Sequence, residues 1–296
     1  MNTHNIANYI GRFAPSPTGR LHLGSLVCAV ASFLDAKANQ GLWLLRIEDI
    51  DPLREEPGVS HHIIKCLAAH GMISDEPILW QHDRLEAYQT AIDNLIAEQK
   101  AFYCVCTRKQ LAAEGGPYPG YCKSKKIGAE FDTAIRAAVE PATLLQFVDA
   151  IQGPQSQNLD KEIGDFIIKR KDGLIAYQLA VAIDDAYQNI SHVVRGSDLL
   201  DSTLRQIHLQ KLLQLPTPHY AHIPVITHSD GHKLSKQTHA SEVKTSEARH
   251  NLRLALRLLG QQPPPQHLTV NQLIDWGTEH WAMNNISRSL SIPEQR

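Results

Sequence analysis

Apolar positions along the chain switch between two periods. Tyr9 to Phe13 is a short apolar-ended run that reads as a strand. Pro15, Pro17 and Gly19 then forbid regular structure. After Gly24 the period becomes 3.6, with Leu26, Val30, Phe33 and Leu34 on one helical face. Ser25 is the expected N-cap of this helix, and Gly41 falls just past its end. Leu42 to Ile47 reads as a buried strand that runs into Arg46-Ile-Glu-Asp-Ile-Asp51. Val59, Ile63, Ile64 and Leu67 mark a second helix closed by Gly71. A third runs from about Leu85 to Gln99, with Tyr88, Ile92, Leu95 and Ile96 inward. Strand and helix alternating in this order predict an α/β fold, a parallel sheet with right-handed crossovers.

Near residue 101 the pattern changes. Residues 123 to 160 lack clear periodicity, and Gly153-Pro-Gln-Ser-Gln-Asn158 reads as a loop. Asp165 to Arg170 and Leu174 to Ile183 are apolar-rich runs separated by Lys171-Asp-Gly173, a hairpin signal. The α/β pattern resumes with a strand at His192 to Arg195 and a helix carrying Leu204, Ile207, His208 and Leu212. A further strand, His222 to Thr227, is followed by a polar loop that contains Lys233-Leu-Ser-Lys-Gln237. Helical pieces around Leu252 to Leu259 and Val270 to Trp276 follow. The expected organisation is therefore 1–100 as the first half of an α/β domain, 101–185 as an insertion, 186–240 as the second half, and 241–296 as a short helical region.

The chain of 296 residues is 43% hydrophobic, enough for a substantial core. No apolar run approaches the roughly 18–20 residues of a membrane span, and the N-terminus lacks the basic and apolar regions of a signal peptide. A cytoplasmic protein is expected. The net charge of −2 argues against a protein that merely coats nucleic acid. Of the five cysteines, Cys104, Cys106 and Cys122 cluster, which fits a metal site better than a disulfide framework. Thiolates in tetrahedral geometry favour zinc. Cys28 and Cys66 read as core residues, and the His61-His62 pair as surface.

The first loop, Arg12 to Ser25, feeds a helix N-terminus, where free backbone N–H groups and the helix dipole favour an anion. His22 lies where a phosphate would sit. Lys233 and Lys236 place two ammonium groups in the late polar loop, suited to stabilising charge as pyrophosphate leaves. Together, His22-Leu-Gly-Ser25 and Lys233-Leu-Ser-Lys-Gln237 resemble the HIGH and KMSKS signatures of class I aminoacyl-tRNA synthetases. Arg12-Phe-Ala-Pro-Ser-Pro-Thr-Gly19, Leu45-Arg-Ile-Glu-Asp49, Trp80-Gln-His-Asp-Arg84, Ala101-Phe-Tyr-Cys104 and Val194-Arg-Gly-Ser-Asp198 resemble the glutamyl branch, over about residues 9 to 240. Only about 60 residues follow the second signature, too few for that branch's helical anticodon-binding region. Short chains of this kind resemble the glutamyl-queuosine tRNA(Asp) synthetases, a family that activates glutamate and attaches it to the wobble base queuosine. Ser25, Leu234 and Gln237 depart from the signatures. Ser25 donates a hydrogen bond but carries no charge, so phosphate stabilisation leans on His22 and the lysines.

The resemblance implies a Rossmann-type catalytic domain with a zinc-containing insertion. It implies a glutamate pocket formed by Arg12, Phe13, Ala14, Pro15, Ser16, Glu48, Tyr177 and Arg195. Guanidinium forks suit two carboxylates and one acid suits the α-ammonium, with Tyr177 offering a hydroxyl. ATP, with Mg2+, is expected at His22, Gly24, Ser25 and Lys236, and catalysis at His22, Lys233 and Lys236. The resemblance supplies Tyr118 as fourth ligand beside Cys104, Cys106 and Cys122, with Tyr121 or a water as physical alternatives. The expected partners are L-glutamate, ATP and queuosine-containing tRNA(Asp), the expected state a monomer. Two rival readings are a truncated glutamyl-tRNA synthetase that charges tRNA 3′ ends, and a non-catalytic zinc-stabilised tRNA-binding module.

Overall fold

The computed structural model describes residues 9–112, 115–125, 127–128, 132–228, 234 and 241–294. Strands β1 (Ile10–Phe13), β2 (Leu42–Ile47) and β3 (Leu79–Trp80) are linked by helices α1 (Leu23–Ala38) and α2 (Val59–Ala69). Helix α3 (Leu85–Ala97) leads out to strand β4 (Ala101–Cys104) and the short helix α4 (Arg108–Ala112). Next come β5 (Ala134–Ala137), β6 (Leu144–Asp149), β7 (Gly153–Asn158), the single turn α5 (Leu159–Glu162) and β8 (Phe166–Lys169). The chain returns through α6 (Tyr177–Tyr187), β9 (His192–Gly196), α7 (Leu200–Leu212), β10 (His219–Ile223) and β11 (Val225–Thr227). Helices α8 (Ala248–Leu258) and α9 (Val270–Glu279) and strand β12 (Ser291–Pro293) complete it.

The central sheet has the order β10-β9-β1-β2-β3, and every pairing in it is parallel. Renumbered within the sheet this is 3-2-1-4-5, the doubly wound arrangement expected from the alternating pattern. Strand order reverses at β1, between β2 and β9. Open α/β sheets bind ligands outside the carboxyl ends of the strands at such a switch point. Arg12 and Phe13 end β1, and Arg195 and Gly196 end β9, so these residues meet at that place.

Helix α1 differs from its expected one-sided form. Every residue from Leu26 to Ala36 is buried except Cys28. The sheet covers one side and α8 and α9 the other, so a helix that would show a polar face to water has none. The Trp281 indole donates to Asp35 at 2.8 Å, and the Tyr9 hydroxyl donates to the same carboxylate. The carboxyl-terminal region is thereby tied to α1 and to the residue that precedes β1. Gly41 is required by close approach: a Cβ there would lie 2.4 Å from the carbonyl oxygen of Tyr9.

Other differences have simple causes. Gly153–Asn158 is a strand paired antiparallel with β6, not a loop. Its polar side chains lack an apolar alternation, and backbone ladder bonds alone define it. Lys171-Asp-Gly173 turns the chain, but the hairpin shrinks to one antiparallel bridge, Lys169 to Ile175, before the chain becomes helix α6. The run His222 to Thr227 is divided by Pro224: β10 ends in the central sheet, and β11 pairs in parallel with β12. Among the described residues no helix is long and apolar enough to cross a membrane.

Candidate active site

A cleft of about 560 Å3 opens at the switch point. Arg12, Phe13, Ala14, Pro15, Ser16, His22, Gly24, Ser25, Tyr177 and Arg195 line it, so the candidates for glutamate and for ATP share one cavity. Glu48 lines an adjoining chamber that meets the cleft at Ser16, Thr18, Arg54 and Tyr177. Lys233 and Lys236 lie outside the described residues. Leu234 between them is buried against the cleft, its N–H donating to Ile226 O at 2.8 Å. Val243 N donates to Leu21 O, and Glu242 bridges His22. The chain on the far side of the lysine loop therefore returns to the histidine loop.

The helix cap is a correction. His22, not Ser25, is the N-cap of α1, and the His22 Nδ1 accepts from Ser25 N at 3.3 Å. Neutral His22 then carries its proton on Nε2. Gly24 leaves room for this ring: a Cβ there would sit 3.1 Å from the imidazole. The imidazole and the first-turn N–H groups converge on the cleft, the arrangement an anionic group needs.

Arg12 on the cleft wall and Arg46 buried behind it share one carboxylate. Arg12 donates from Nε and Nη2 to the two oxygens of Asp185, at 3.1 and 3.3 Å. Arg46 donates to the same carboxylate at 2.8 Å, and reaches Glu48 at 3.5 Å. Burial opposes the charge of Asp185, yet Arg12 and Arg46 hold its carboxyl below the usual range. Glu48 is less well compensated. Burial pushes its carboxyl up to about 7 against the pull of Arg46 and Arg12.

Arg195 is held differently. Its Nε donates to His222 Nε2 at 3.0 Å, and its Nη2 donates to Thr203 Oγ1 at 2.8 Å. The single N–H of the ring, on Nδ1, donates to Asp149 Oδ2 at 2.5 Å. Burial lowers the pKa of His222, which keeps the ring neutral and able to accept from the guanidinium. Arg195 Nη1 is buried and has no hydrogen-bond partner. A buried guanidinium N–H without an acceptor, on the wall of a cleft, is a standing site for a carboxylate.

Sequence reasoning missed Asp185, Asp149, His222 and Arg46. The signal for Asp185 was an acid pair at the end of the apolar run 174–183. Asp149 and His222 carried none, because residues 73 apart in sequence meet only through the fold.

Away from the cleft, Cys104, Cys106 and Cys122 put their sulfurs within 4.8 Å of one another. Cys106 and Cys122 are 3.6 Å apart, and the Tyr118 hydroxyl lies 3.5 Å from Cys104 and 3.7 Å from Cys106. A tetrahedral ion with metal–sulfur bonds of about 2.3 Å requires S···S edges of about 3.8 Å and S···O edges of about 3.6 Å. The donor set fits a metal. Arg136 donates to Cys104 Sγ at 3.3 Å and lies over the Tyr118 ring, placing a positive charge beside the thiols. Tyr121 packs edge-on against Tyr118. Cys66 is buried against Val243 and His70, as a core residue should be. His61 is exposed and touches the Trp80 ring.

The switch-point cleft, the histidine-capped helix and the order of the sheet together define the catalytic domain of a class I aminoacyl-tRNA synthetase. The family described as tRNA synthetases class I (E and Q), catalytic domain, matches residues 10–118 and 121–271. A relative from Pseudomonas fluorescens named glutamyl-Q tRNA(Asp) synthetase is 49% identical over 99% of both chains. One from Pseudomonas aeruginosa with the same name is 46% identical over 98% of this chain and 99% of its own. The chain belongs to the class I tRNA synthetases of the E and Q type and, within them, to the family of the glutamyl-Q tRNA(Asp) synthetases. In fold it is similar to a glutamate tRNA ligase from Elizabethkingia meningosepticum, solved in complex with its amino acid. The TM-score is 0.82 at 24% identity, covering 97% of this chain and 67% of that one.

Proposed function

We propose that this chain activates glutamate with ATP and transfers it to the queuosine wobble base of tRNA(Asp). The observation that carries the reading is Arg195, which lines the same cleft as Arg12 and whose buried Nη1 has no hydrogen-bond partner among the described residues. A dicarboxylic amino acid supplies the acceptor that Arg195 Nη1 lacks. Arg12 and Arg195 bind its carboxylates, Glu48 takes the α-ammonium, and Tyr177 donates its hydroxyl. Phe13, Ala14, Pro15 and Ser16 shape the pocket floor. The similarity to relatives named for this activity over nearly the whole chain favours queuosine over a tRNA 3′ end as acceptor.

ATP enters with Mg2+, carried mainly by its phosphates. His22, Gly24 and Ser25 receive the phosphates at the α1 N-terminus, and Lys233 and Lys236 complete the charge. A carboxylate oxygen of glutamate attacks the α-phosphorus in line, an O–P bond forms, and the bond to pyrophosphate breaks. A hydroxyl of the queuosine cyclopentenediol then attacks the acyl carbon. The ester forms, AMP leaves, and the hydroxyl proton passes to the AMP phosphate or solvent. No covalent enzyme intermediate is needed, because positioning and charge stabilisation suffice.

Zinc is the ion that three thiolates and a phenolic oxygen select. Cys104, Cys106, Cys122 and Tyr118 would hold it, and Arg136 would offset the surplus negative charge. Bound there it is structural, pinning the loop that carries Tyr118 and Cys122 onto the end of β4 within the 101–185 insertion. The insertion and catalytic domain grip the anticodon stem-loop, and the protein works as a cytoplasmic monomer with 241–296 as its closing helical region.

The test is transfer of labelled glutamate to tRNA(Asp) with and without queuosine, followed by mapping of the attachment site. Label confined to queuosine is expected. Label at the 3′ end would favour the truncated glutamyl-tRNA synthetase. Absence of glutamate-dependent exchange between pyrophosphate and ATP would favour a binding module.

A further inference from the structure

Beside the cleft lies a second chamber of about 330 Å3, within the range of small-ligand sites. Ser16, Thr18, Arg54 and Tyr177 form the shared wall. The core supplies Glu48, Glu55 and Gln81 on one side, and Ile167 and Arg170, from β8 and the turn after it, face them. A ligand here would therefore touch both the catalytic sheet and the insertion.

The chemistry of the walls selects the ligand. Gln81 is 1% exposed, and its Nε2 donates to Asp184 Oδ2 at 2.9 Å. A carboxylate only accepts, so the amide orientation is fixed. Its Oε1 is buried with no hydrogen-bond partner. This acceptor lacks a donor. Asp51 is already engaged by Arg54 at 2.8 Å and Arg170 at 3.3 Å, and Arg170 pairs with Asp172 as well. The positive charges of the chamber are thus offset. Glu55 accepts one backbone bond, from Asp51 N at 3.1 Å, and has no ion pair at salt-bridge distance among the described residues. Burial and neighbouring Asp49 raise its pKa, as expected of an acid short of cations. With both arginines engaged by carboxylates, the groups left short of a partner are acceptors, Gln81 Oε1 and the Glu55 carboxylate. They favour a ligand that brings N–H or ammonium donors over one that carries acceptors alone.

We infer that this chamber receives the side arm of the acceptor base, a secondary ammonium joined to a cis-diol. The ammonium lies against Glu55, and Gln81 Oε1 takes a donor from the same arm. Ile167 offers an apolar surface to the ring. Tyr177 and Ser16, at the junction, bring the diol to the activated carboxyl in the neighbouring cleft. This assignment rests on the queuosine reading above and adds the residues that distinguish queuosine from guanosine.

Two measurements test it. In the first, Glu55→Gln and Glu55→Asp are assayed for the KM of queuosine-containing tRNA(Asp) in transfer, with glutamate-dependent exchange followed on the same preparations. Glu55→Gln is expected to raise this KM at least tenfold, and Glu55→Asp to recover part of the loss. In the second, which needs no variant, the queuosine nucleoside is expected to inhibit wild-type transfer competitively against tRNA, and guanosine is not. An unchanged KM in Glu55→Gln, or no inhibition by millimolar queuosine nucleoside, overturns the assignment while leaving the transfer activity standing. If wild-type protein transfers no glutamate to queuosine at all, the functional reading fails instead.

Discussion

Asp149, at the end of β6, and His222, on a strand of the central sheet, meet at 2.5 Å with both side chains fully buried. His222 in turn accepts from Arg195, so a residue of the β6-β7 hairpin sets the geometry of a guanidinium at the cleft. His222→Ala removes the side-chain donor to Asp149 Oδ2 and the acceptor of Arg195 Nε, leaving the guanidinium held from Nη2 alone. The KM for glutamate in exchange is expected to rise about tenfold or more, and kcat to change less, since a ground-state contact is lost. Loss of the buried pair should also destabilise the fold by about 3 kcal/mol or more in urea titration. His222→Gln can donate to one neighbour and accept from the other, and should recover most of the KM. If kcat falls and KM stays constant, His222 does not act through Arg195.

The proposed role of Glu48 predicts that glutamate binding depends on pH. Its carboxyl sits at about 7, raised by burial. Below that pH the neutral acid cannot pair with an ammonium, so the KM for glutamate should climb as pH falls, by up to about tenfold per unit. Above pH 7 the acid is ionised and the KM should level. Glu48→Gln should bind weakly at all pH values and lose the slope. A flat KM between pH 5.5 and 8 in the wild type would contradict this assignment.

The thiol cluster should carry metal. Protein purified without chelator is expected to contain about one zinc per chain by elemental analysis, and Cys122→Ser none. Tyr118→Phe should retain the ion with lower affinity, read by competition with a chromogenic chelator. Zinc-free protein from zinc-supplemented expression would remove the reading.

Lys236→Ala should lower the rate of adenylate formation by at least about a hundredfold and change glutamate binding little. Its charge is called on most as pyrophosphate leaves, in the transition state. Equal losses in rate and in glutamate affinity would assign Lys236 to ground-state binding.

The sequence by itself determined the alternation of strand and helix, the parallel sheet and the two signature loops. It also placed the cysteine cluster. These are local or periodic signals: apolar spacing, prolines and glycines at turns, and runs of chemically distinctive residues. Only the tertiary structure decided that His22 rather than Ser25 caps the helix. The cap depends on where the imidazole turns, and both residue types accept that position. It decided that the polar stretch 153–158 is a strand, because ladder bonds to β6 form without an apolar pattern. It decided that α1 is buried all round, because α8 and α9 fold back over its second side. Above all it joined Arg12 and Arg46 through Asp185, and Arg195 to Asp149 through His222. Such pairings follow from strand order in the sheet, and no spacing along the chain encodes them.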